Sequence, residues 1–122
     1  PECARAMAVM GAEVLLYPTA IGTEPFDASV DSRDRWQRVM QGHAVANVIP
    51  VAAANRVGSE NVNDKLQSYY GSSFIADPTG ALVASLDRQE TGVAVHRFDL
   101  SEIDRTRAIW GFFRDRRPET YR

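Results

Sequence analysis

Two short apolar runs constrain this chain more than any other feature. Val14-Leu15-Leu16-Tyr17 and the segment from Val48 to Ala54 are almost continuously apolar, without the alternation of a strand that has one wet face. Runs of this kind suit strands covered on both sides, as in parallel sheets. Pro18 is expected to stop the first run. Pro50 conflicts with a ladder position, because proline has no N–H to donate, and fits best near the start of the second strand or at an irregularity. Between the runs, Trp36, Val39, Met40, His43 and Ala44 recur on one helical face, and Asp31 or Ser32 can cap that helix. Strand, helix and strand in this order predict a crossover unit in a layered α/β sheet.

The flanking segments extend that plan. Cys3, Met7 and Met10 lie at helical spacing with alanines between them, and Gly11 suits the end of such a helix. Pro1 fits a first helical position, which reads as a helix whose cap and preceding strand are absent and raises the expectation of a fragment. Thr19 to Val30 reads as a long loop, and Gly42 as a point of close helix packing. Ser59 to Ser68 reads as polar loop. Ser72–Ala76 and Ala81–Ser85 flank Asp77-Pro78-Thr79-Gly80, a type I turn signal, and predict a hairpin. Val93–Phe98 offers one more strand. Ser101 with Asp104 resembles a capping box, opening a short helix through about Arg107.

Composition narrows the function classes. The chain has 122 residues, 44% hydrophobic and 25% charged, with a formal net charge of −2. That is one domain or a piece of one, with enough apolar material to offset the ordering entropy. The charge argues against a nucleic-acid partner. No apolar run approaches the roughly 20 residues that cross a bilayer, so no membrane partner is expected. A single cysteine excludes an intrachain disulfide and fits a reducing, cytoplasmic setting.

Candidate chemistry is sparse. Cys3 is the one thiol, and its place beside Met7 and Met10 favours a packed small hydrophobe over a nucleophile. His43 reads as a core or interface residue and His96 as a surface residue; no metal-ligand spacing joins them. Glu13 and Glu24 suit a helix boundary and a solvated loop. Arg114, Arg116 and Arg117 alternate with Asp115 and Glu119, as in a salt-bridged face. The best site argument is positional: in open α/β sheets ligands gather beyond the carboxyl ends of strands. Tyr17–Gly22 and Asn55–Gly58 occupy such positions, with a hydroxyl at Thr19 and small residues Ala20 and Gly22 leaving room for a ligand. A plain turn is an equal reading of the same residues.

Several motifs together resemble the nitrilase, or carbon–nitrogen hydrolase, superfamily. They are Pro1-Glu2-Cys3-Ala4-Arg5-Ala6-Met7, Gly11-Ala12-Glu13-Val14-Leu15, Tyr17-Pro18-Thr19-Ala20-Ile21-Gly22, Ser32-Arg33-Asp34, Trp36 to Ala44, Ala54 to Gly58, Asp77 to Gly80 and Trp110 to Pro118. The resemblance implies the carboxyl-terminal half of an α-β-β-α sandwich with a mixed sheet, and residues 1–122 as one partial domain of that kind. It implies an amidohydrolase acting on a small ureido-amine through a cysteine thioester, with a glutamate base, an assisting lysine and no metal or cofactor. The nucleophile, base and lysine have no matching position here, so the chain is expected to hold no catalytic residue and to be inactive alone. Pro18, Thr19, Ala20 and Ile21 would form a substrate-binding wall. The His43 helix and the tail resemble subunit interfaces, implying a homo-oligomer of the full-length enzyme. The alternatives are a related carbamoyl-amide hydrolase and a non-catalytic binding or assembly domain.

Overall fold

The computed structural model describes residues 1–24, 26, 27 and 29–121. Helix α1 (Glu2–Val9) is followed by strand β1 (Leu15–Thr19), helix α2 (Arg33–Asn47) and strand β2 (Val51–Asn55). A hairpin, β3 (Val57–Val62) with β4 (Lys65–Tyr70), comes next, then strands β5 (Phe74–Ala76) and β6 (Leu82–Ser85). Helix α3 (Leu100–Trp110) and a 3-10 turn (Pro118–Thr120) complete the order. The main sheet is mixed and four-stranded, in the order β1-β2-β5-β6. β1 and β2 run parallel, with Leu15 opposite Val51 and Thr19 opposite Asn55; β5 and β6 are antiparallel additions.

Strand alternation assigns the faces. Leu15, Val51, Ala53, Phe74 and Ala76 are buried and join Ala4 and Ala8 of α1 with Trp36 and Ala44 of α2 in one core. Trp36 meets Phe74 edge to face, with centroids 5.4 Å apart and planes at 70°, a favoured arrangement for ring quadrupoles. The small side chains of Ala4 and Ala8 let α1 seat closely. Two arginines lock the helices by reaching carbonyls in the last turn of a neighbouring helix. Arg5 Nη2 donates to Ala46 O at 2.6 Å and Arg107 Nη2 to Ala8 O at 3.3 Å. Both guanidiniums stack on the Phe113 ring, at 4.8 and 4.6 Å from its centroid.

Several expectations need correction. Pro18 does not stop β1, which continues to Thr19; β1 is an edge strand, so one side of it needs no donor. Pro50 stands just before β2 and the ladder conflict disappears. The polar stretch from Ser59 to Ser68 is strand, not loop. Its two-residue connection, Asn63-Asp64, has φ of 51° and 61°, the double left-handed geometry of a type I′ hairpin turn. Residues 93–98 form no strand, because no strand lies alongside them; Val93 and Val95 are exposed. Asp99, not Ser101, caps α3, accepting from Ser101 N at 2.9 Å and Glu102 N at 3.2 Å, and the helix runs on to Trp110. Cys3 is exposed, since the inward face of α1 is Ala4/Ala8. Gly42 faces open space rather than a close neighbour. The Asp77–Gly80 turn is formed as expected, with Gly80 N donating to Asp77 O at 2.9 Å.

Candidate functional site

The two segments singled out by position are brought together. Because β1 and β2 are parallel neighbours, their carboxyl ends place Thr19 beside Asn55. Asn55 is buried and its carboxamide is fully used. Its Oδ1 accepts from Ile21 N at 2.9 Å and from Thr19 Oγ1 at 3.3 Å. Its Nδ2 donates to Ile21 O at 3.0 Å and to Gly71 O at 2.9 Å. The Thr19 hydroxyl also reaches Ala54 O at 3.1 Å.

Beyond Ile21 the chain zips onto the hairpin. Tyr70 N donates to Ile21 O at 3.1 Å and Thr23 N to Ser68 O at 2.7 Å. Gln67 Nε2 donates to Thr23 O at 2.7 Å and Ser68 N to Thr23 Oγ1 at 3.1 Å. The room that Gly22 leaves belongs to the hairpin and not to a ligand: a Cβ there would lie 2.1 Å from Ser68 O. Glycine is needed at this backbone approach.

This arrangement walls a cavity of about 600 Å³, lined by Ala20 to Glu24 on one side and by Val62, Asn63, Lys65, Gln67 and Tyr69 of the hairpin on the other. Ala20 and Ile21 therefore line it as one strip. Pro18 does not; it borders a second hollow of about 480 Å³ on the opposite sheet face, with Leu16, Ala52, Ala54 and Ile75. Thr19 lines neither, its hydroxyl being turned to Ala54 O and Asn55 Oδ1. The hairpin residues that line the cavity carry no strand pattern in the sequence, and the one local signal for them is the Asn63-Asp64 pair at the turn.

Glu24 and Lys65 are the charged groups of the larger cavity. Lys65 sits over the Phe26 ring, 3.7 Å from its centroid. At its rim, Arg56 forks onto Glu60 through two bonds of 2.7 Å and stacks on Tyr69 at 4.4 Å. The Tyr69 hydroxyl donates to the same carboxylate. The Arg56 bonds, then the Tyr69 bond, hold the Glu60 carboxyl below its usual range, and that carboxylate pushes the Tyr69 hydroxyl up. These charges are internally satisfied and give the hairpin a fixed shape. Among the described residues no group of three or more His, Cys, Asp or Glu converges as a metal site would require. No helix among them is long and apolar enough to cross a membrane. Cys3 is exposed, and no histidine or carboxylate hydrogen-bonds to it; the Tyr17 hydroxyl is pushed up by burial and then by this thiol.

A parallel strand pair with its loop walling a cavity is common to many α/β proteins, so comparison with known proteins decides the family. The model of the family described as carbon-nitrogen hydrolase matches residues 1–108. The chain belongs to the carbon–nitrogen hydrolase family. It is 53% identical over 100% of its length to an N-carbamoylputrescine amidase of Oryza sativa, and 55% identical over 99% to a citrullinase of Francisella tularensis. It spans 42% of the length of each of these relatives. Among solved structures, a carbon-nitrogen hydrolase from Helicobacter pylori superposes with a TM-score of 0.86 at 36% identity, over 99% of this chain and 44% of that one.

Proposed function

We propose that this chain is the carboxyl-terminal half of an amidohydrolase that converts N-carbamoylputrescine to putrescine, carbon dioxide and ammonia. The observation that carries the reading is the partly uncovered second face of the sheet. Leu16 is 71% exposed there, and Ala52, Ala54 and Ile75 surround it in an apolar hollow. A face this apolar is the seat of a second layer, and the fragmentary span against the relatives supports a second half that supplies it. Residues 1–122 are then one partial domain. The full-length enzyme is cytoplasmic and homo-oligomeric in this reading, and its substrate is a small ureido-amine.

In the chemistry proposed, a cysteine outside this chain attacks the ureido carbon, the C–NH2 bond breaks, and ammonia leaves with the thiol proton. One water then cleaves the thioester, returns the proton to sulfur, and releases a carbamic acid that falls apart to carbon dioxide and putrescine. The part played by this chain is the wall: Ala20 and Ile21 beside the ureido group, with Thr19 behind them and Pro18 turned toward the second hollow, where the other half of the enzyme packs. Glu24 is the cavity's acidic group and complements the ammonium at the far end of a carbamoyl amine. A second reading, a ureido acid such as citrulline, is favoured by Lys65 in the same cavity and by the relative named for that substrate.

The test is ammonia release. The isolated chain is expected to give none. The full-length protein is expected to release ammonia and putrescine in equal amounts, with kcat/KM at least tenfold higher for N-carbamoylputrescine than for citrulline. Turnover by the isolated chain that Cys3→Ser abolishes would overturn the half-enzyme reading. A preference for citrulline would overturn the substrate.

A further inference from the structure

We propose that Asn55 is a positioning residue for substrate binding, its carboxamide acting as an extra strand rung that sets the Ala20–Ile21 wall of the cavity. The inference rests on the reading of that wall as part of the substrate site. β1 ends at Thr19, yet the backbone two residues later is held as if a strand lay beside it. The Asn55 carboxamide both donates to Ile21 O and accepts from Ile21 N, at 3.0 and 2.9 Å, the paired exchange that a backbone amide makes in a ladder.

The same Nδ2 reaches Gly71 O at 2.9 Å, at the junction of β4 and β5. One buried side chain thus joins the loop after β1, the end of β2 and the exit of the hairpin, and so fixes the Ala20–Ile21 wall relative to the hairpin wall across the cavity. The backbone of Asn55 is held separately: its N–H donates to Ser73 Oγ at 3.0 Å, and that hydroxyl donates back to Asn55 O at 3.3 Å. A carboxamide is required because the site presents two acceptors, Ile21 O and Gly71 O, together with donors from Ile21 N and Thr19 Oγ1. An ionised carboxylate would oppose both carbonyls, whereas a protonated one regains a donor. Burial and the facing carbonyls raise the pKa of a carboxyl placed there.

The experiment uses the full-length protein and the ureido substrate that the wild type turns over. Asn55→Asp is expected to raise KM tenfold or more at pH 7.5 while kcat changes less than threefold. Its KM should fall back toward wild type as pH is lowered to 5.5, a recovery the wild type lacks. Asn55→Ser, which stays neutral, should raise KM without the pH recovery, and Ser73→Ala should leave KM within twofold. Amide exchange at Ile21 should quicken at least tenfold in Asn55→Ser, a readout that does not need activity. Wild-type KM in a folded Asn55→Asp or Asn55→Ser protein, or unchanged exchange at Ile21, would overturn the positioning role. A wild type that releases no ammonia from either ureido substrate would instead overturn the proposed function, leaving the exchange measurement to decide on Asn55.

Discussion

The two faces of the four-stranded sheet are built from alternate residues of the same strands, yet they differ in cover. On the helix side Leu15, Val51, Phe74 and Ala76 are sealed under α1 and α2. One residue along, Leu16 and Ala54 are exposed and Ile75 is half-buried. Apolar residues on both faces predict strands covered on both sides, and the described residues seal one face and only border the other. The difference teaches that an apolar run records what a strand is built to contact, whether or not that contact lies within the same stretch of chain.

The largest test of the contrast is a pair of truncations. Phe74→Ala on the covered face should cost about 3–5 kcal/mol, the range for emptying a packed aromatic site. Ile75→Ala on the open face should cost under about 1.5 kcal/mol in the isolated chain, because little packing is lost. Urea unfolding measures both, and equal losses would break the distinction between the faces.

A smaller effect is expected on the outer side of α2. A Cβ at Gly42 meets nothing within 4 Å, so Gly42→Ala should stabilise the chain by about 0.5–1 kcal/mol through helix propensity. Destabilisation in a thermal melt would mean that α2 is packed more tightly there than its open surface indicates.

The smallest effect is a pH dependence confined to the covered side. His43 stacks on Tyr17, with centroids 6.0 Å apart. Burial holds its imidazole below the usual 6.5. Folding therefore favours the neutral ring, and the unfolded chain binds the extra proton. The stability it contributes is present above 6.5 and is lost as pH falls from there through the lowered folded value. His43→Gln should flatten that part of the stability profile measured by denaturant midpoints; an unchanged slope would assign it to other groups.

Legibility along the chain followed the reach of the interactions involved. The β5–β6 hairpin was readable because its turn carries its own instruction, with proline second and glycine fourth in Asp77–Gly80. The β3–β4 hairpin was not, because its residues are mostly polar and exposed and its order comes from cross-strand pairs, such as Ser59 with Ser68 Oγ at 2.7 Å. Residues 93–98 failed in the opposite sense: strand-like composition cannot supply a neighbouring strand. At the site, the chain position of Thr19, Ala20 and Ile21 after a buried strand was legible. That Pro18 faces away from them, and that Gly22 is filled by Ser68, depended on which way the strand turned and where the hairpin folded.

The sequence by itself determined the parallel strand pair, the helix between them and the family motifs, because these are written in local periodicity, turn residues and short runs. Tertiary structure alone decided that the Asn55 carboxamide would knit three distant segments, that α1 would turn Ala4 and Ala8 inward and Cys3 outward, and that one sheet face would stand open. Those outcomes depend on hydrogen bonds and packing between residues tens of positions apart. A window along the chain contains only one partner of each.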